Sequence, residues 1–268
     1  MVLVDLLFAA LLSLVTAPPL LGAVALWSRL APAHAPVQAA AIALALVPLA
    51  AVGMVAIVAL LARLVPPPPP GRHRLRPSGP AFGWMWAFQL QRIAFLPLWR
   101  PLWLGPTLTR FVVLRALRAQ VAPTAMVSSD VTLTDPSLLI LGPGSLLGSG
   151  ALVGGHLVAG DRLLLAPVEL GAGAMVFIRV SLAPGCRLGP GAVVGPLSAL
   201  GPSVIVGAGA HLGAQVSVEG PAEIGAGARI GTRALIGRDV IIGERARIDA
   251  GSHIPAGTVV PAGSRWPC

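Results

Sequence analysis

Residues 206–247 read VGAGAH LGAQVS VEGPAE IGAGAR IGTRAL IGRDVI IGERAR when cut into sixes. Each unit opens on Val, Leu or Ile, usually continues with Gly, and carries Ala or Val at its fifth place. The same phase runs without error from Leu170 to Val260, sixteen leading positions in series. A period of six suits neither an α-helix at 3.6 residues nor a hairpin strand at 2. It suits a solenoid in which six residues make one short strand and one turn. The leader then points into the core, and the small fifth residue, such as Cys186, Ala192 or Ser198, fills the interior near the corner. The second place, commonly Gly, is expected at the turn, where glycine tolerates unusual backbone angles.

Working outward, the phase appears earlier in two shorter blocks, Val121–Val127–Leu133 and Leu141–Leu147–Val153. The steps from 133 to 141 and from 153 to 170 are eight and seventeen, so each break requires an inserted segment. Twenty-two units, three to a coil, predict about seven coils over residues 121–268.

The residues before the repeat are of another kind. Mean hydropathy over the whole chain is +0.83, too apolar for an ordinary soluble domain. Residues 6–27 and 37–62 are uncharged and long enough to cross a bilayer. They predict a two-span hairpin over 1–65, with Pro18 and Pro19 leaving a kinked or re-entrant first span open. Asp5, where a signal peptide would be basic, argues against a cleaved leader. The short intervening loop holds one Arg, whereas Arg63, Arg72, Arg74 and Arg76 follow the second span, which predicts the C-terminal part on the cytoplasmic side of the inner membrane. Residues 66–70 are five prolines, a stiff linker. Residues 81–118 mix Trp84, Trp86, Trp99 and Trp103 with five Arg, interrupted by Pro97, Pro101 and Pro106. That mixture predicts interfacial helices on the bilayer, or else a surface packed on the solenoid or a neighbouring subunit, within a 66–120 segment.

The charge pattern excludes one class of partner. The net +9 lies wholly in residues 1–120, with ten Arg against Asp5; residues 121–268 hold nine Arg and nine acids. The excess therefore faces lipid, and no nucleic acid is expected. The absence of Lys, Asn and Tyr fits a GC-rich bacterial source. Cys186 and Cys268 form no disulfide or zinc spacing.

Units such as LGPGAV, VGAGAH, IGAGAR and IGTRAL resemble the hexapeptide-repeat acyltransferases. The resemblance covers residues 121–264 and implies an all-β left-handed parallel β-helix, commonly a homotrimer, with acyl-CoA in a groove between subunits and a His as general base. Residues 105–131 (GPTLTRFVVLRALRAQVAPTAMVSSDV) and 135–157 (DPSLLILGPGSLLGSGALVGGHL), placed after two spans, are also similar to the membrane-embedded C-terminal region of polylysine-synthetase-like nonribosomal peptide synthetases. The adenylation and carrier domains of such synthetases are not in this sequence.

Five His are candidates for the base that the chemistry needs. His34 in the loop and His73 in the linker are poor ones, and His211 and His253, at sixth positions, should face solvent on different faces. His156 lies where the repeat breaks, in VGGHLVAGDRLLLAPV, and loops leaving a rigid scaffold often carry function. Asp161 and Glu169 are close in sequence and could orient its imidazole. No metal is expected, since no pair of His has the close spacing of a zinc site. Phe177 and Arg179 stand out on a small-residue surface, as a subunit contact or as the lining of an acyl or phosphate pocket. Two functions stay open: acyl transfer, with acetyl the simplest group, to a hydroxyl or amine of a membrane-associated acceptor, and a non-catalytic trimeric scaffold held at the membrane.

Overall fold

The computed structural model describes residues 2–30, 36–67, 69–76, 79–96, 100 and 107–267. His34, Pro97, Trp99, Pro101, Trp103, Pro106 and Cys268 lie outside the described residues.

From Gln120 onward the chain winds as a parallel β-solenoid whose rungs stack into three faces. Two faces hold eight rungs and the third seven, so the solenoid makes nearly eight coils. The extra rung over the sequence count is Arg265–Trp266, which pairs in parallel with Arg247 and Ile248. Trp266 stands six residues past Val260 but is aromatic, which hid it among aliphatic leaders. From Leu170 onward each rung pairs with the one eighteen residues later: Leu188 with Val206, Val206 with Ile224, Ile224 with Ile242. The leaders from Leu170 to Val260 are buried, and so are the small fifth residues through Ser252. Each fully buried aliphatic leader adds roughly 1.5–3 kcal/mol.

The corners correct one expectation. The left-handed backbone falls at the fourth place of the unit, not the second: Gly173, Gly191, Gly209 and Gly227 have φ near +65°, and Arg179, Leu197, Gln215 and Arg245 adopt the same conformation. The second-place glycines meet a different demand. A Cβ on Gly207 would stand 2.5 Å from the backbone nitrogen of Ala226 in the next coil, and one on Gly225 2.5 Å from that of Glu244. They are glycine because adjacent coils touch there.

The two breaks become two excursions from one corner. Leu133 and Val153 occupy neighbouring rungs of the same face. After Leu133 the chain makes a single 3-10 turn, Pro136–Leu138. After Val153 it runs out as a hairpin. Strand β1 (Gly71–Arg74) pairs antiparallel with that hairpin's second strand, β3 (Arg162–Leu165), which pairs with its first, β2 (His156–Ala159). His73, expected in the linker, is therefore a strand residue of this small sheet. Residues 69–81 and 119–268 form one compact unit.

The other unit comprises residues 1–68 and 82–118. Helices α1 (Val2–Leu30) and α2 (Pro36–Leu64) pack together, and α1 continues through Pro18 and Pro19. Pro19 rests against Gly53, where an added Cβ would sit 3.1 Å away. Helices α3 (Pro80–Ala94) and α4 (Thr107–Ala116) lie beyond the helical hairpin in the chain. The apolar face of residues 81–118 packs on the hairpin helices. Leu90, Ile93, Val113 and Leu117 share one core with Val15, Met54, Val58 and Leu61 of the hairpin helices. The Trp86 indole donates to the Leu61 carbonyl at 2.9 Å, and the Arg92 guanidinium lies over the Phe8 ring at 4.5 Å.

Candidate active site

Asp135 closes the first excursion's approach, directly after the rung of Leu133. Its side chain is 3% exposed, and three donors converge on its Oδ2. The Thr134 hydroxyl donates at 2.6 Å, the Gly155 backbone N–H at 3.0 Å, and His156 Nδ1 lies at 2.6 Å. His156 is the first residue of β2 and is 20% exposed at its side chain. The stacking of Leu133 on Val153 sets this meeting, because both chains leave the same corner one coil apart.

Gly155 makes the close approach available. A Cβ there would stand 2.9 Å from Asp135 Cβ and from Leu138 Cβ. Any other residue would push the two excursions apart and carry the imidazole from the carboxylate. The carboxylate accepts the proton on Nδ1, which fixes the ring's orientation and, in the neutral imidazole, places the lone pair on Nε2. That is the arrangement of a general base: one nitrogen anchored, the other able to take a proton, and a buried anion beside the imidazolium that results.

The sequence candidates fall in different places. Asp161 lies in the two-residue turn joining β2 to β3, beside Gly160 with φ +61°, at the end of the hairpin opposite His156. Its backbone carbonyl accepts from Leu75 N–H at 2.7 Å. Glu169 faces Arg187 on the next rung, at 3.5 Å. Sequence proximity thus pointed to Asp161 and Glu169, while the carboxylate on the imidazole belongs to Asp135, twenty-one residues before it. The signal that finds Asp135 is arithmetic: 133 and 153 differ by one coil plus the two extra residues of the first break.

His211 and His253 are exposed, as their sixth positions predict, and stand on different faces, as their separation of seven units predicts. Cys186 is a core residue. Burial pushes its thiol up to about 12, against the opposing effect of hydrogen bonds with the backbone of Val204 and Ala183. Phe177 and Ile178 protrude at one corner, and Leu197 protrudes beside them in the next coil, its N–H bonded to the Ile178 carbonyl.

No family model matches the chain, and no curated protein matches it. Among solved structures, it is similar to LpxA of Acinetobacter baumannii, at 18% identity over 56% of this chain and 69% of that one, with a TM-score of 0.33. It is similar to a UDP-N-acetylglucosamine acyltransferase of Francisella novicida, at 13% identity over 53% and 62%, with a TM-score of 0.28. A third is a mutant perosamine N-acetyltransferase of Caulobacter crescentus in complex with CoA and GDP-perosamine, at 23% identity over 61% and 63%, with a TM-score of 0.29. The fold stands on the chain's own rungs.

Proposed function

We propose that this chain is a membrane-held acyltransferase that moves an acyl group, acetyl in the simplest case, from acyl-CoA to a hydroxyl or amine of a membrane-associated acceptor. The observation that carries the reading is the contact of His156 Nδ1 with buried Asp135 at the root of the hairpin. Acyl-CoA as donor, and the homotrimer with its groove between subunits, come from the resemblance of the repeat units. Protruding Phe177, Ile178 and Leu197 form an apolar corner suited to a subunit contact.

In this reading Nε2 of His156 removes the proton of the acceptor O–H or N–H as that atom attacks the thioester carbonyl. The tetrahedral oxyanion collapses, the C–S bond breaks, and the imidazolium returns the proton to the departing thiolate, giving the ester or amide and free CoA. Asp135 is the positioning residue: it holds the ring and stabilises the imidazolium, while the carboxyl itself exchanges no proton.

The membrane part of the proposal rests on α1 and α2. Leu7–Leu30 and Pro36–Leu64 have mean hydropathies of 2.0 and 2.7. Leu21, Val24, Leu44, Val52 and Leu60 on these helices remain exposed, a surface suited to lipid. The arginines after Leu64 orient the solenoid to the cytoplasmic side of a bacterial inner membrane.

The test is calorimetry of acetyl-CoA with detergent-solubilised wild type, His156→Ala and Asp135→Asn, followed by thioester turnover with candidate acceptors. Saturable binding in all three, with turnover lost only in the variants, is the expected result. A folded wild type that binds neither acetyl-CoA nor longer acyl-CoAs would return the chain to the scaffold reading. Turnover restricted to freely soluble acceptors would remove the membrane-associated acceptor.

A further inference from the structure

The small sheet of β1, β2 and β3 has two unlike faces. Leu163 and Leu165 of β3 are fully buried on one. The antiparallel register places Arg72 opposite Leu164, and Leu164 opposite Leu157; it places Arg74 opposite Arg162. Alternation along the strands puts these five side chains together on the other face. All three arginines are exposed, and Leu157 is 45% exposed beside them. Two guanidinium groups directly across a strand pair repel each other, with a third two residues along. Among the described residues, no carboxylate forms an ion pair with Arg72, Arg74 or Arg162. Asp161, in the adjoining turn, is the nearest acid in sequence and leaves the face with net positive charge.

We infer that this face docks on anionic phospholipid headgroups of the bilayer that holds α1 and α2. The inference rests on the membrane reading of those helices. Three arginines complement phosphate, and exposed Leu157 beside them suits the apolar boundary beneath the headgroups. Only residues 65–70 separate the end of α2 from β1, so a bilayer holding α2 presents its own surface within the reach of six residues. Arg162 reaches this face from ninety residues later in the chain, through the pairing of β3 with β1. That pairing also ties the site to the surface, because His156 opens the strand beside β3. Lipid engagement would order the hairpin whose root holds the imidazole, so the candidate base would be held most firmly where a membrane-associated acceptor resides.

The experiment uses the full chain in nanodiscs of phosphatidylcholine alone or mixed with phosphatidylglycerol. Hydrogen–deuterium exchange is followed at residues 71–74 and 156–165, with the rungs of residues 204–260 as a folding control. Alkaline carbonate extraction of native membranes is run in parallel. The expected result is chain retained by the membrane, with exchange in both segments at least ~10-fold slower in phosphatidylglycerol discs. The difference should vanish in Arg72→Gln/Arg74→Gln/Arg162→Gln while the rungs exchange as before. Retention without any dependence on lipid charge overturns the docking face and leaves the membrane reading standing. Release by carbonate overturns both. Equal protection by inorganic phosphate in phosphatidylcholine discs overturns the lipid assignment in favour of a soluble anion.

Discussion

Gly207 and Gly209 are two residues apart and are glycine for different reasons. Gly209 has φ +63° with open space around its missing side chain, whereas Gly207 has the next coil's backbone 2.5 Å from its missing Cβ. Asn tolerates left-handed backbone but occupies volume, so it separates the two demands. Gly209→Asn should cost less than ~1 kcal/mol, and Gly207→Asn ~3 kcal/mol or more, by chemical denaturation. Equal costs would mean that coil contact does not fix the second place. The same scale decides the site. Asp135→Asn should lower turnover by ~100-fold or more, the scale of a general base, while Asp161→Asn leaves it within about threefold. The reverse order would move the catalytic carboxylate to the hairpin's tip. Cys186 supplies a pH prediction. Its thiol is raised to about 12 from 9.0. The unfolded chain loses its proton first as pH rises, so folding stability falls above about pH 9 by up to ~1.4 kcal/mol per unit. In Cys268→Ser, iodoacetamide at about pH 8 should leave native protein unlabelled and modify it only after unfolding. Labelling of the native state would show that the solenoid interior opens.

The hairpin of β2 and β3 is the element in which the sequence was half legible. That a segment leaves the coil here followed from the seventeen-residue step between Val153 and Leu170; that it forms a hairpin did not. Nor did its partners, because β1 comes from a segment whose prolines and arginines read as a linker and whose strand is four residues long. Nothing local to Gly71–Arg74 reveals an edge strand; only the unpaired edge of β3 calls for one. Asp135 escaped for a related reason, since the first break adds only two residues and its carboxylate acquires a role through the rung below. By contrast the rungs were legible, because every unit repeats the same demand for an inward aliphatic and a small corner residue. Replacing residues 71–74 with Gly-Ser should speed amide exchange at residues 162–165 while the rungs from Leu170 onward keep their protection. Unchanged exchange at residues 162–165 would mean the hairpin stands without its third strand.

Across the whole molecule, stability is organised by the stacking of coils, and that organisation has a length. From Leu170 onward each rung and the next along its face stand eighteen residues apart, and a rung pairs only with the coils directly before and after it, so no residue of the solenoid depends directly on one two coils distant. The leader's burial depends only on position within the six-residue unit, and the face it occupies on position within the eighteen-residue coil. Removing residues 206–223 deletes one coil and brings Leu188 against Ile224, two aliphatic leaders of the same face. The corner chemistry then meets its own kind, with Gly189 over Gly225 where Gly207 stood. Removing residues 206–214 deletes nine instead. Every later leader then shifts by half a unit toward a corner, the second-place glycines no longer meet backbone, and bulky side chains enter the tight contact between coils. The eighteen-residue deletion should keep a single cooperative unfolding transition by circular dichroism, its midpoint lower by no more than a few degrees, because one nearest-neighbour interface of about seven is lost. The nine-residue deletion should lose that transition altogether, although it removes half as much chain. If both deletions unfold alike, the coils are held by something other than their register with the nearest neighbour.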